Sequence, residues 1–186
     1  MVFRTLMKRK KTELILFLTL IGLIFTVLHS VDYNDTFFVK AQDNPQPQWL
    51  TYDKALTKSK VENIPTLIYF YSDNCGWCRK METETFANKE IQELLNNSFA
   101  LVKINGNSNK TVQVEDEKLT ERQLATEAYR VNAFPTIWFL NSGNERIANL
   151  PGYVQPDVFL PILVYIKDDF YKKYTFQEYM ELEKNK

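Results

Sequence analysis

Apolar positions along this chain fall into one long run and several short ones. The long run, Leu14 to Leu28 (LILFLTLIGLIFTVL), carries no charge. Extended across His29 and Ser30 to Val31 it reaches about 18 residues, near the lower limit for crossing a hydrocarbon layer. Beyond it the pattern changes to the periods of a folded domain. Thr51 to Lys60 alternates as an amphipathic helix does, and Thr66 to Tyr71 (TLIYFY) is a β-branched and aromatic run expected to be a buried strand. A helix is expected from Cys75 to about Phe86. Asn88 to Asn96 places Ile91, Leu94 and Leu95 on one helical face. Phe99 to Asn105 is a further strand. Gly106 to Leu119 is polar and long, and is expected to be a surface loop. Thr120 and Gln123 form a capping box, followed by Leu124, Ala128 and Val131 on one face. Thr136 to Leu140 (TIWFL) is a strand, and Asn141 to Asn144 a hairpin turn into Glu145 to Leu150. Pro156 opens a helix to about Tyr171. Thr175 and Glu178 cap a short terminal helix.

Strands separated by helices imply parallel pairing, and the final hairpin adds an antiparallel pair. The expected class is α/β, a mixed sheet with helices on both faces. The expected domain layout is a basic segment 1–12, an apolar segment 13–31, a Pro-containing linker 32–48, a folded domain 49–171 and a helical extension 172–186.

Charge sharpens the reading of the N-terminus. The 186 residues hold 23 basic and 23 acidic side chains, a net of zero. Five of the basic groups (Arg4, Lys8, Arg9, Lys10, Lys11) precede the apolar run, while residues 42–186 carry a net of −3. Positive residues stay on the cytoplasmic side, so the run exports the chain beyond it. Two readings stand: an uncleaved transmembrane anchor, favoured because no small-x-small site closely follows the run, or a signal peptide that releases a secreted domain. Both place the folded domain outside the cytoplasm, in a periplasm or its equivalent. Zero net charge removes the simplest case for nucleic-acid binding. A single His, His29, removes most His-based metal sites and His-dependent triads.

Both cysteines of the chain lie in Cys75-Gly76-Trp77-Cys78, after a buried-type strand and at the start of a helix. Unpaired backbone N–H groups there favour an anion and can lower the pKa of a thiol by units. Cys75 is then the attacking thiolate, and Cys78, one turn on, resolves the mixed disulfide. Gly76 lets a partner chain approach, and Trp77 offers an apolar face beside the sulfur. Half a zinc site is the first alternative, but no second pair or nearby His completes it. An inert structural bridge is the second, but so short a loop stabilises little.

With that motif in place, the chain resembles the thioredoxin-like superfamily over about residues 49–171. The resemblance rests on TLIYFYSDNCGWC, VKIN, VNAFPTIWFL and the turn at Gly143, in that order. It implies that Pro135 is a cis-proline packed against the cysteine motif, where Phe134, Pro135 and Thr136 shape a substrate groove. CGWCRKMETETF is similar to the corresponding segment of the C-terminal domain of the membrane thiol:disulfide interchange protein DsbD. Thioredoxins carry a buried acid six residues before the first cysteine; here that position is Tyr69. The DsbD-like pattern adds an acid four residues after the second cysteine, and Glu82 stands there. Glu82 is therefore the candidate proton shuttle, against a solvated surface glutamate as the bland account. Lys103 in VKIN matches a family lysine, although an exposed strand-edge lysine is simpler. Tyr71, Trp77 and Phe134 are expected to form an apolar rim around the sulfur, whereas Trp49, Trp138, Phe70, Phe86 and Phe139 are core.

The expected function is a membrane-tethered thiol–disulfide oxidoreductase that reduces protein disulfides by dithiol exchange. Its partners are protein disulfide or dithiol substrates and a membrane redox donor, with no bound cofactor and no metal. An oxidase or isomerase uses the same motif, and a non-enzymatic binding module is a further reading.

Overall fold

The structure is a computed structural model and describes residues 46–185. Residues 1–12, the apolar segment 13–31 and the first part of the linker 32–48 lie outside the described residues. Among the described residues no helix is long and apolar enough to cross a membrane.

A five-stranded sheet forms the centre. Its strands are β1 (Trp49–Leu50), β2 (Thr66–Tyr71), β3 (Ala100–Asn105), β6 (Thr136–Leu140) and β7 (Arg146–Pro151), in the order β1-β3-β2-β6-β7. β3 runs parallel to β1 and β2, while β6 is antiparallel to β2 and β7. β2 is central and covered on both faces, which explains why TLIYFY is buried from Thr66 through Phe70 rather than at alternate positions.

Period-two geometry sends Leu67 and Tyr69 to one face and Ile68 and Phe70 to the other. The first face packs against Cys78 and Met81, against Ile91 and Leu95 of α3 (Lys89–Ser98), and against Phe159, Leu163 and Ile166 of α5 (Pro156–Lys167). The second packs against Tyr52 and Ala55 of α1 (Tyr52–Glu62) and against Leu124, Ala125 and Tyr129. Helices thus cover both faces, as the strand–helix alternation implies.

Four boundaries differ from the sequence reading. The expected loop 106–119 contains an antiparallel hairpin, β4 (Thr111–Val114) and β5 (Glu117–Thr120). Its signal is the alternation Thr-Val-Gln-Val, whose Val112 is buried, hidden by polar flanks. Trp49–Leu50, given no element in the sequence reading, is a short strand. The helix after the cysteines, α2 (Gly76–Lys80), continues through a widened turn, Met81–Thr85, closed by the Phe86 N–H on the Met81 carbonyl five residues back. Finally, α5 stops at Lys167, because Asp169 adopts a left-handed backbone, and a 3₁₀ turn takes Phe170–Lys172.

Both expected capping boxes form. Thr120 caps the short α4 (Glu121–Gln123), and Thr175 caps α6 (Phe176–Lys184). Tyr179 of α6 is buried against Tyr165 and Phe170, so residues 172–185 dock on the same body.

Candidate active site

Cys75 sits where β2 hands over to α2. The connecting loop is held from three directions. The Cys75 N–H donates to the Ser72 carbonyl, Asn105 Nδ2 donates to the Asp73 carboxylate, and the Arg79 guanidinium donates to the Asp73 carbonyl. Cys75 itself is the N-cap of α2, in extended backbone, and its Sγ accepts the Cys78 N–H at 3.0 Å. A backbone donor aimed at that sulfur stabilises a thiolate more than a thiol.

Cys75 and Cys78 form a disulfide with their Cα atoms 5.2 Å apart. Burial separates their roles: Cys75 is half-buried, whereas Cys78 is 1% exposed. Only the first is open to an incoming molecule. A Cβ added at Gly76 would meet nothing nearer than Arg79 Nη2 at 3.8 Å, so space beside the sulfurs is open there.

Two groupings flank the pair. The first lies on the inner side. Tyr69, fully buried, donates its hydroxyl to the Cys78 carbonyl at 3.2 Å. Burial holds its phenol well above the usual tyrosine range, reinforced by the Glu82 carboxylate beside it. Glu82 Oε1 in turn pairs with Lys103 Nζ at 3.0 Å, and both side chains are part-buried. The Lys103 ammonium also stands 4.4 Å from the Tyr71 ring centroid. The lysine is therefore not the exposed edge residue of the simpler expectation. β3 lies inside the sheet, and in the register it faces Tyr69 across from β2.

The second grouping is a groove on the outer side. Trp77, Phe134, Pro135, Gly152 and Tyr153 line it, an open groove of about 310 Å³. The Phe134–Pro135 bond is cis, and Pro135 is buried. Phe134 lies against Gly106 so closely that a Cβ there would come within 2.2 Å of its ring. Thr136 stands behind the groove, its hydroxyl spent on the Ala133 carbonyl at 2.8 Å.

The structure therefore gathers Trp77, Phe134 and Pro135 in one groove and places Glu82 on the other side with Tyr69 and Lys103. Sequence reasoning missed Gly152 and Tyr153. Gly152 has φ +87°, a region that favours glycine, and its N–H donates to the Pro135 carbonyl at 2.8 Å. A Gly directly after strand β7 was the available signal. Among the described residues no group of three or more His, Cys, Asp or Glu side chains stands together as a metal site.

Comparison with known proteins agrees with this architecture. The family described as "Thioredoxin-like domain" matches residues 52–167, and the chain belongs to it. The chain is 27% identical over 104 residues to disulfide bond reductase DsbH of Chlamydia pneumoniae, covering 55% of this chain and 61% of that protein. It thus spans less than two thirds of that relative's length. Among solved structures, a thioredoxin-fold protein from Helicobacter pylori superimposes with TM-score 0.59 at 22% identity, over 67% of this chain and 86% of that one. A thioredoxin from Thermus thermophilus gives TM-score 0.55 at 24% identity, over 65% of this chain and 87% of that one. These two likenesses establish the fold.

Proposed function

We propose that this protein is an extracytoplasmic thiol–disulfide oxidoreductase that reduces protein disulfides, with residues 13–31 as its membrane anchor. The carrying observation is the asymmetry of the cysteine pair: a half-exposed Cys75 whose sulfur receives a backbone N–H, beside a buried Cys78. The reductase name of the Chlamydia relative supports the direction. The basic cluster before an apolar run supports export.

The cycle balances as dithiol exchange. The Cys75 thiolate attacks one sulfur of the substrate disulfide; that S–S bond breaks, and the leaving thiolate takes a proton from solvent. Cys78 then loses its proton and attacks the Cys75 sulfur, releasing the second substrate thiol. Two electrons pass to the substrate, leaving the Cys75–Cys78 disulfide. Re-reduction takes a dithiol from a membrane redox donor. Glu82 is the proposed proton acceptor for Cys78. Tyr69 fills the position of a buried acid but remains a neutral phenol at physiological pH, so a carboxylate one turn beyond Cys78 takes that part. Gly76, Trp77, Phe134, Pro135 and Thr136 form and back the substrate groove.

The test is reduction of insulin by the whole chain in detergent with dithiothreitol as donor, against Cys75→Ser. Precipitation accelerated by the wild type and lost in the variant is expected. Equal rates for the two reject the redox reading in favour of a binding module.

A further inference from the structure

β1 is too short to cover the edge of the sheet. Trp49 and Leu50 pair with Leu101 and Val102, and the chain then turns into α1. β3 continues past that point through Lys103 and Ile104, while β4 packs against α1. Between these elements lies a cleft of about 440 Å³, open to solvent, which shares no lining residue with the groove beside the cysteines. Glu121, the first residue of α4, lines the cleft and is only 8% exposed. Its N–H is spent on the Lys110 carbonyl. Among the described residues no hydrogen bond or ion pair reaches its carboxylate. Three other charged residues line the same cleft. The Lys103 ammonium is engaged by Glu82 at 3.0 Å. Lys110 is exposed and makes no ion pair with Glu121. Asp53, in the first turn of α1, adds a second carboxylate. With Lys103 set aside beside its partner, the cleft offers two carboxylates against one ammonium.

We propose that this cleft is a second binding site, one that takes a guanidinium group on an aliphatic stem, with Glu121 as its carboxylate partner. The site goes beyond the redox reading, since no step of dithiol exchange uses Glu121. A buried carboxylate without donors carries a desolvation cost, which a cationic donor recovers. Both Glu121 oxygens are uncommitted, and a guanidinium answers two oxygens with a fork of parallel N–H groups where an ammonium offers a point charge. Trp49 and Leu50 border the cleft with part-exposed apolar surface. An indole ring suits the planar cation, and the leucine suits the methylenes behind it. Water answers the oxygens but gains nothing from that wall. A volume of about 440 Å³ lies in the range of pockets that take small ligands or single side chains. Lys110 opposes the cation from the rim, which makes it a useful control. Free arginine and an arginine side chain of a bound polypeptide both carry this chemistry.

The test titrates the isotope-labelled whole chain in detergent with N-acetylarginine methylamide and follows backbone amide shifts by NMR. Saturable shifts at Val112 and Glu121 are expected, with a Kd of about 1 mM, the affinity a ligand of that size supports. The citrulline analogue has the same shape without the charge and should bind at least about tenfold more weakly, and Glu121→Gln should weaken the arginine probe as much. Lys110→Ala removes a like charge from the rim and should tighten binding by about twofold. Free arginine separates the two sources: tighter binding than the capped probe assigns the site to a free amino acid, and equal or weaker binding to a polypeptide side chain. Equal binding of the arginine and citrulline probes, or arginine binding unmoved in Glu121→Gln, overturns the proposal. So does the absence of saturable shifts in the wild type; their emergence in Lys110→Ala alone would then make Lys110 the carboxylate's own partner.

Discussion

The Lys103 ammonium holds the Glu82 carboxylate at 3.0 Å on the inner side of the cysteine helix, where the buried Tyr69 hydroxyl also lies. The cation fixes the carboxylate without lining the outer groove. If Glu82 accepts the Cys78 proton, Glu82→Gln should slow resolution of a preformed Cys75 mixed disulfide by about 10²-fold, the lower end for a positioned base. Initial attack should change far less. Stopped-flow measurement of both steps from pH 5 to 9 checks this; an unaltered resolving step and pH profile would remove Glu82 from the mechanism.

Burial predicts which sulfur reacts first. In the reduced protein, iodoacetamide should label Cys75 at least about tenfold faster than Cys78, since alkylation follows thiolate character and access. Mass spectrometry of partially labelled protein reads the ratio. With a disulfide substrate, Cys78→Ser should accumulate a covalent complex and Cys75→Ser should not. Equal labelling of the two would contradict the assignment of the nucleophile.

Buried phenols predict alkaline instability. Burial is the leading cause that raises Tyr69 and Tyr129, and the Tyr129 hydroxyl also lies 2.8 Å from that of Tyr52. Free tyrosine titrates near pH 10, and a folded-state pKa above that value stabilises the fold fully below pH 10. The contribution is then lost as pH rises toward the folded value, at up to about 1.4 kcal/mol per pH unit for each phenol. Urea unfolding at pH 8, 10 and 11 should show a plateau and then a fall, shallower in Tyr129→Phe. A constant stability from pH 8 to 11 would refute it.

Gly106 predicts a packing penalty. A Cβ there would lie 2.2 Å from the Phe134 ring and 3.3 Å from the Ala125 Cβ, so Gly106→Ala must displace the ring. A cost of roughly 1–3 kcal/mol is expected, read as a fall in Tm, with partial recovery in Gly106→Ala/Phe134→Leu. An unchanged Tm would show that the ring moves freely.

The sequence revealed what depends on neighbours in sequence. TLIYFY announced a doubly covered strand, Cys75 a helix start, Thr120 and Thr175 their capping boxes, and the FPT segment the proline that stands in the groove. What it concealed depends on residues distant in the chain. Lys103 reads as a surface lysine until β3 is placed beside β2. Tyr153 reads as loop until the bond to Glu84, 69 residues earlier, closes. The hairpin β4–β5 was hidden because a two-stranded element half-packed on a domain needs few apolar residues, and a polar composition resembles a loop. The membrane reading concerns residues 13–31, outside the described residues.

The widened turn Met81–Thr85 carries Glu84 and Thr85, which grip Tyr153 and Val154 of the segment after β7. The helix that bears the sulfurs and the segment that bears the groove wall are thereby clamped into one frame. Loosening that clamp, by heat or by a substitution at Thr85, would let the groove wall drift from the helix that bears the sulfurs.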